Sequence, residues 1–133
     1  MTPDACFFHS TLANGLTIEV RDLSRRYFGD YHKVVLEVTC RLPLRSALFA
    51  GDGDPEQALR AARAALGDEA RTQMRLERMG VPGASLEAVR SALWDSFTRT
   101  TLRYMQRDDY PLRLVRSLVA KRRQTRPPLR PVP

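Results

Sequence analysis

The 133-residue chain is poor in the residues that build disulfides and metal centres, with two cysteines and two histidines. A disulfide framework or a multi-ligand metal site would need more of them at regular spacing. The chain also has no apolar run near the roughly 18 residues of a membrane-spanning helix, and residues 1–4 lack the basic start of a signal peptide. We therefore expect a cytoplasmic protein with no membrane partner.

The common catalytic and phosphate-binding motifs are missing as well. There is no Gly-x-Ser-x-Gly, no Walker loop and no Gly-x-Gly-x-x-Gly. Cys6, His9, His32 and Cys40 match no zinc-finger spacing, and in one continuous strand His32 and Cys40 would lie about 26 Å apart. The acidic segment 51–56 is too short for a calcium loop. The sequence predicts no enzyme, no catalytic residue, no metal, no cofactor and no small-molecule substrate.

Lysine is scarce, but positively charged residues as a whole are not. Arginine supplies 20 of the 22 lysine and arginine residues, and the formal net charge is +7. Residues 1–70 carry 8 Lys/Arg and 10 Asp/Glu, whereas residues 71–133 carry 14 and 5. This asymmetry predicts a basic C-terminal arm that binds an anionic partner: nucleic acid, an acidic protein surface or a lipid surface. An arm that only keeps the protein in solution is the alternative. The candidate anion-binding residues are Arg113, Arg116, Lys121, Arg122, Arg123, Arg126 and Arg130.

Alternating apolar and polar residues in the first third of the chain predict β-strands over 7–12, 16–23 and 34–42. Asn14-Gly15 is a strong turn signal, because both residues tolerate a positive φ. The fold class we expect is therefore α+β: a three-stranded antiparallel β-meander at the N-terminus, followed by three or four helices packed on one sheet face.

The helical part begins at Asp54-Pro55, where a capping acid precedes a proline suited to the first helical position. A continuous helix would turn acidic residues toward the core beyond Gly67. The sequence therefore predicts a break at Gly67 and a second helix from Asp68 to Gly80.

The next helix follows Ser85 and carries the clearest apolar stripe of the chain. Its members are Leu86, Val89, Leu93, Phe97, Thr100 and Tyr104, flanked by Trp94 and Met105. The last helix begins near Pro111 and is expected to fray near Lys121. We expect a single domain over residues 1–123 and an extended Pro/Arg-rich tail over residues 124–133, because that tail has four prolines and no core-forming pattern.

The segment 24–32 is the most unusual in composition, with two arginines, three aromatic residues and a histidine. Aromatic and arginine planes stack on unpaired bases, and the same residues are enriched in protein interfaces. Alternatively, the aromatic side chains fold inward and cap the core. The candidate interface residues are Arg25, Arg26, Tyr27, Phe28, Tyr31 and His32. A third class of function, a small enzyme that pairs His32 with Asp22 and Asp30, is the least favoured.

The function that these observations favour is that of a small basic, non-enzymatic accessory or adaptor protein. Its C-terminal arm is expected to bind RNA or a ribonucleoprotein. The alternative is a subunit of a multiprotein assembly that binds an acidic protein surface through the same arm.

Overall fold

The computed structural model describes residues 5–125. Its first two strands, β1 (Ala5–Thr11) and β2 (Thr17–Asp22), form the predicted antiparallel hairpin. Gly15 adopts a φ of +93°, and the side chain of Asn14 accepts a hydrogen bond from the Leu16 amide at 3.1 Å. The predicted turn at Asn14-Gly15 is therefore confirmed.

The predicted loop after β2 is instead a second hairpin, formed by β3 (Arg25–Phe28) and the long strand β4 (Tyr31–Pro43). Because β5 (Glu69–Pro82) follows one edge of β4 along its whole length, β2 and β3 share the other edge in succession. Between them, the Ser24 hydroxyl accepts a hydrogen bond from the Val35 amide at 3.0 Å. This side chain replaces the missing backbone acceptor where the strand is interrupted.

The predicted helix from Asp68 to Gly80 is wrong, because this segment is strand β5. The residues Ala70, Thr72, Met74 and Leu76 alternate with charged or amide residues, which is the two-residue period of a strand. The predicted fold class is wrong for the same reason. The sheet has five antiparallel strands, and its last strand follows a helix, so the fold is not an N-terminal three-stranded meander followed by helices.

Helix α1 (Pro55–Leu66) begins and ends as predicted. The Asp54 carboxylate accepts a hydrogen bond from the Gln57 amide at 3.2 Å, and Gly67 ends the helix with a φ of +87°. A carboxylate at this position satisfies an amide that has no partner within the helix. The break at Gly67 is therefore confirmed, although a strand and not a helix follows it.

The predicted long helix after Ser85 is divided by a π-helical segment. It consists of α2 (Leu86–Phe97), the π segment Thr98–Leu102 and α3 (Arg103–Met105). A π segment adds a residue to the turn, so the buried face shifts by one position. Thr100 and Tyr104 are therefore exposed, whereas Leu102 and Met105 are buried.

Helix α4 (Tyr110–Thr125) completes the described structure. It was expected to fray near Lys121, but it continues to Thr125. The extended tail predicted from residue 124 is thus helical at its first two residues, and residues 126–133 lie outside the described part. The boundary of the single domain remains a prediction.

The helices pack on one face of the sheet, where a continuous core forms. β2 and β4 supply Leu16, Ile18, Val20, Leu36, Val38 and Cys40, and the helical side supplies Phe97, Leu102, Met105, Leu114 and Val115. The Asn14 side chain donates hydrogen bonds to the carbonyls of Met105 (2.7 Å) and Arg107 (2.9 Å), which joins the first hairpin to the end of α3. Within residues 5–125, no helix is long and apolar enough to cross a membrane.

Phe97 is 3% exposed and stacks on Trp94 with ring centroids 5.5 Å apart. We predict that Phe97→Ala lowers the free energy of unfolding by about 3–5 kcal/mol, because it removes a buried ring and leaves a cavity. Chemical denaturation of the two proteins measures the difference. A variant as stable as the wild type would contradict the position of Phe97 in the core.

Both cysteines are free thiols, but only Cys6 is exposed. Cys40 lies 4.0 Å from the Met105 sulfur, and burial raises its pKa to about 11. We predict that a thiol reagent at pH 8 modifies one cysteine of the native protein and two after unfolding, since the thiolate is the reactive form. Fast modification of both thiols in the native state would contradict the burial of Cys40.

Candidate functional site

The seven cations proposed for the C-terminal arm do not form one uniform surface. On α4, Arg113 lies 3.3 Å from the Asp109 carboxylate and Arg116 lies 3.5 Å from the Asp52 carboxylate. The hydrogen bond and charge of Arg107, together with the charge of Arg113, hold the pKa of Asp109 below its usual value. Arg113 and Arg116 therefore each have an acidic neighbour within the protein, which weakens their attraction for another anion.

The end of α4 is fixed against the rest of the protein. The Arg122 guanidinium donates a hydrogen bond from Nε to the Ala65 carbonyl at 3.0 Å, in the last turn of α1. The last carbonyls of a helix carry partial negative charge and lack partners within the helix, so a cation stabilises them. This contact explains why the helix continues beyond Lys121. It also gives Arg122 a structural contact, which the sequence pattern did not indicate.

Lys121 and Arg122 line a pocket of about 340 Å³ together with Arg71, from the start of β5. Leu66, Glu69 and Leu118 complete its lining. Arg71 was not among the predicted site residues, because the sequence pattern placed it on a helix. In the strand, Arg71 is exposed and lies at the corner of the sheet nearest the end of α4.

Arg41 of β4 lies directly opposite Arg71 in the register of the sheet. Like charges at opposed positions repel each other and destabilise a strand pair. Glu69 relieves this repulsion in part, with its carboxylate 3.9 Å from Arg41 Nε. We call Arg41, Arg71, Lys121 and Arg122 the basic corner. Its geometry suits an anion that several cations can contact together.

Arg123 faces a different part of the surface. It lines a separate groove between α1 and α4, together with Arg116 and several alanine and valine side chains. Arg126 and Arg130 lie outside the described residues. Of the five predicted cations within residues 5–125, Lys121 and Arg122 thus share one pocket, whereas Arg116 and Arg123 share another.

The second candidate surface is the tip of the β3–β4 hairpin. Tyr27, Phe28 and Tyr31 are 48%, 73% and 48% exposed, so they do not fold inward and the core-cap interpretation is wrong. Met79 of β5 is 58% exposed and lies at the same end of the sheet. The hairpin turn is held in place by Asp30, whose carbonyl accepts a hydrogen bond from the Gly83 amide at 3.1 Å.

Arginines surround these aromatic side chains. Arg25 and Arg26 of β3 and Arg78 of β5 are exposed, and within residues 5–125 none of the three forms an ion pair. His32 is half-buried, with its Nε2 3.9 Å from the Asp30 carboxylate. We call Arg25, Arg26, Tyr27, Phe28, Tyr31, Arg78 and Met79 the aromatic tip. Rings and guanidinium groups in this arrangement can stack on bases or on the side chains of another protein.

The two surfaces lie at opposite ends of β5. Arg71 and Met79 are eight residues apart along this strand, a distance of about 26 Å at 3.3 Å per residue. In the described part of the chain, no three or more histidine, cysteine or acidic side chains are grouped as metal ligands would be.

Comparisons of this chain with protein-family models, with curated proteins and with solved structures found no match.

We predict that Phe28→Ala changes the free energy of unfolding by no more than about 0.5 kcal/mol, because the ring is largely exposed. Denaturation beside Phe97→Ala provides the comparison, since both variants lose the same side chain. A loss as large as that of Phe97→Ala would show that the tip belongs to the core.

Proposed function

We propose that this protein is a non-enzymatic accessory or adaptor protein that binds RNA or a ribonucleoprotein through the basic corner, in the cytoplasm. The observation that carries this proposal is the pocket in which Lys121 and Arg122 of α4 meet Arg71 of β5. It replaces the continuous basic arm that the sequence suggested with a smaller site built from two elements. The free thiols of Cys6 and Cys40 suit a reducing compartment.

Phosphate groups are the ligand that these cations fit best. Arg41 and Arg71 repel each other across the sheet, and an anion bound between them and Lys121 would relieve this repulsion. Contacts between cations and phosphates release counterions from the nucleic acid, which supplies most of the sequence-independent affinity. Guanidinium groups add paired hydrogen bonds to two phosphate oxygens.

The aromatic tip supports RNA over an acidic protein as the partner. Exposed tyrosine and phenylalanine rings next to arginines are typical of surfaces that stack on unpaired bases. An acidic protein surface would be attracted by the basic corner but would make less use of Tyr27, Phe28 and Tyr31. The acidic protein surface remains the alternative partner for the same site.

The test measures the affinity of the full chain for a labelled single-stranded RNA by fluorescence anisotropy over a series of salt concentrations. We predict that Arg71→Gln and Lys121→Gln each weaken binding and each reduce the log–log salt slope by about 0.7, because each removes one phosphate contact. Arg122 is left unchanged, since its hydrogen bond to Ala65 gives it a structural contact.

Arg113→Gln is the matched control. It removes the same charge from α4, but Arg113 does not line the pocket, so its loss should affect binding much less. Equal losses in all three variants would show that only net charge matters and would contradict a defined site. Wild-type protein that binds RNA with no salt dependence, or binds an acidic protein and no RNA, would overturn the proposal.

A further inference from the structure

The outer side of β5 is a sheet edge in the part of the chain that the structure describes. Strand β5 has 14 residues and pairs with β4 from Pro43↔Glu69 to Tyr31↔Pro82 along one side. Within residues 5–125, no strand pairs with its other side. A long edge with free amides and carbonyls is a template for another strand unless it is covered or interrupted.

The edge is regular over most of its length. The pairing with β4 is uninterrupted from Glu69 to Arg78, and the irregularity comes after it, near Gly80. The strand's one proline, Pro82, is its last residue. Since neither a bulge nor a proline interrupts residues 69–78, these residues can accept a further strand.

We propose that β5 pairs antiparallel with β5 of a second copy of this chain, with the two Met74 residues opposite each other. A two-fold axis perpendicular to the sheet keeps the two helix layers on the same side, as a closed symmetric dimer requires. Residues 70–78 of each copy then form nine cross-strand pairs, with roughly nine backbone hydrogen bonds between the copies.

Charge complementarity on the helix-free face selects this register. With Met74 at the centre, Arg71 of each copy lies opposite Glu77 of the other, and Gln73 lies opposite Arg75. A centre at Gln73 would place Arg71 opposite Arg75, and a centre at Arg75 would place that residue opposite itself. Both of these registers bring like charges together.

Two other registers avoid this repulsion, but they are shorter. A centre at Thr72 pairs residues 69–75, and a centre at Leu76 pairs only residues 74–78 before the irregularity near Gly80. The Met74-centred register is therefore the longest complementary one.

The helix-covered face is complementary in the same register. Met74 and Leu76 are only half-buried, because they lie at the border of the core on an edge strand. The second copy would place its own Met74 against Met74, and its Thr72 against Leu76. Pairing the edges would thus remove apolar surface from water on this face, which favours association.

The dimer would also bring together the two surfaces that are far apart in one chain. Arg71 of one copy would lie one strand spacing, about 4.8 Å, from the strand of the other copy at Glu77, two residues from Met79. The basic corner of each copy would therefore neighbour the aromatic tip of the other. This consequence rests on the proposed function, but the dimer itself does not.

The first measurement is the mass of the full chain by analytical ultracentrifugation at micromolar concentrations, without RNA. We expect twice the chain mass of 15.1 kDa.

Charge substitutions at Gln73 provide the second measurement, because Gln73 would face Arg75 of the second copy. A negative and a positive side chain at this position should change the affinity of the dimer in opposite directions. Gln73→Glu should tighten the dimer several-fold and Gln73→Lys should weaken it several-fold, while both variants keep the wild-type circular dichroism spectrum.

Cross-linking tests the register. In a Cys6→Ser background, Met74→Cys should form a covalent dimer under mild oxidation, because the two introduced thiols face each other across the axis. Thr72→Cys and Leu76→Cys are the matched controls, and each should remain uncross-linked. A monomeric wild type, Gln73 variants that shift in the same direction, or efficient cross-linking at Thr72 or Leu76 but not at Met74 would overturn the proposal. These outcomes do not depend on whether the protein binds RNA.

Discussion

The rest of the structure depends on the pairing of the long central strand β4 on both of its sides. β2 and β3 occupy one edge of β4 in succession, and β5 occupies the other. The backbone amides and carbonyls of β4 therefore have hydrogen-bond partners along most of the strand. One face of β4 is apolar and the other is largely polar. Val34, Leu36, Val38 and Cys40 point to the same face and are fully buried. That apolar row is the surface on which the helices assemble.

A sheet covered by helices on one side leaves a polar face and two outer edges open to partners. The helix-free face is stabilised by charge pairs, such as Lys33 with Glu77 at 3.4 Å and Arg75 with Glu37 at 3.3 Å. Such exposed pairs contribute little to stability individually. These charge pairs lie along the middle of the face, between its two ends. The basic corner and the aromatic tip occupy these ends.

Contacts within the chain decide which cations are available to a partner. Arg113 and Arg116 both face acidic side chains of the protein itself, which their positions in the sequence do not indicate. Arg122 binds a helix carbonyl and lines the pocket at the same time. Net charge alone therefore indicates that an anion can bind, but the location of the site depends on which acids lie nearby.

Local signals determined part of this structure from the sequence alone. The Asn14-Gly15 turn, the Asp54 cap and the end of α1 at Gly67 each depend on residues a few positions apart, so they could be predicted. The burial of Phe97 also followed from a local stripe. The π segment after it changed which of the later residues are buried, and no local pattern indicated it.

The tertiary structure decided the role of residues 69–82. Their apolar residues alternate at every second position, but a turn after α1 and an acid at Asp68 also fitted the start of a helix. The strand is stabilised by its pairing with β4, which lies about 35 residues earlier in the chain, and this partner is invisible to a local pattern. Because the basic corner needs Arg71 on that strand beside the end of α4, the candidate site could not be located from the sequence either.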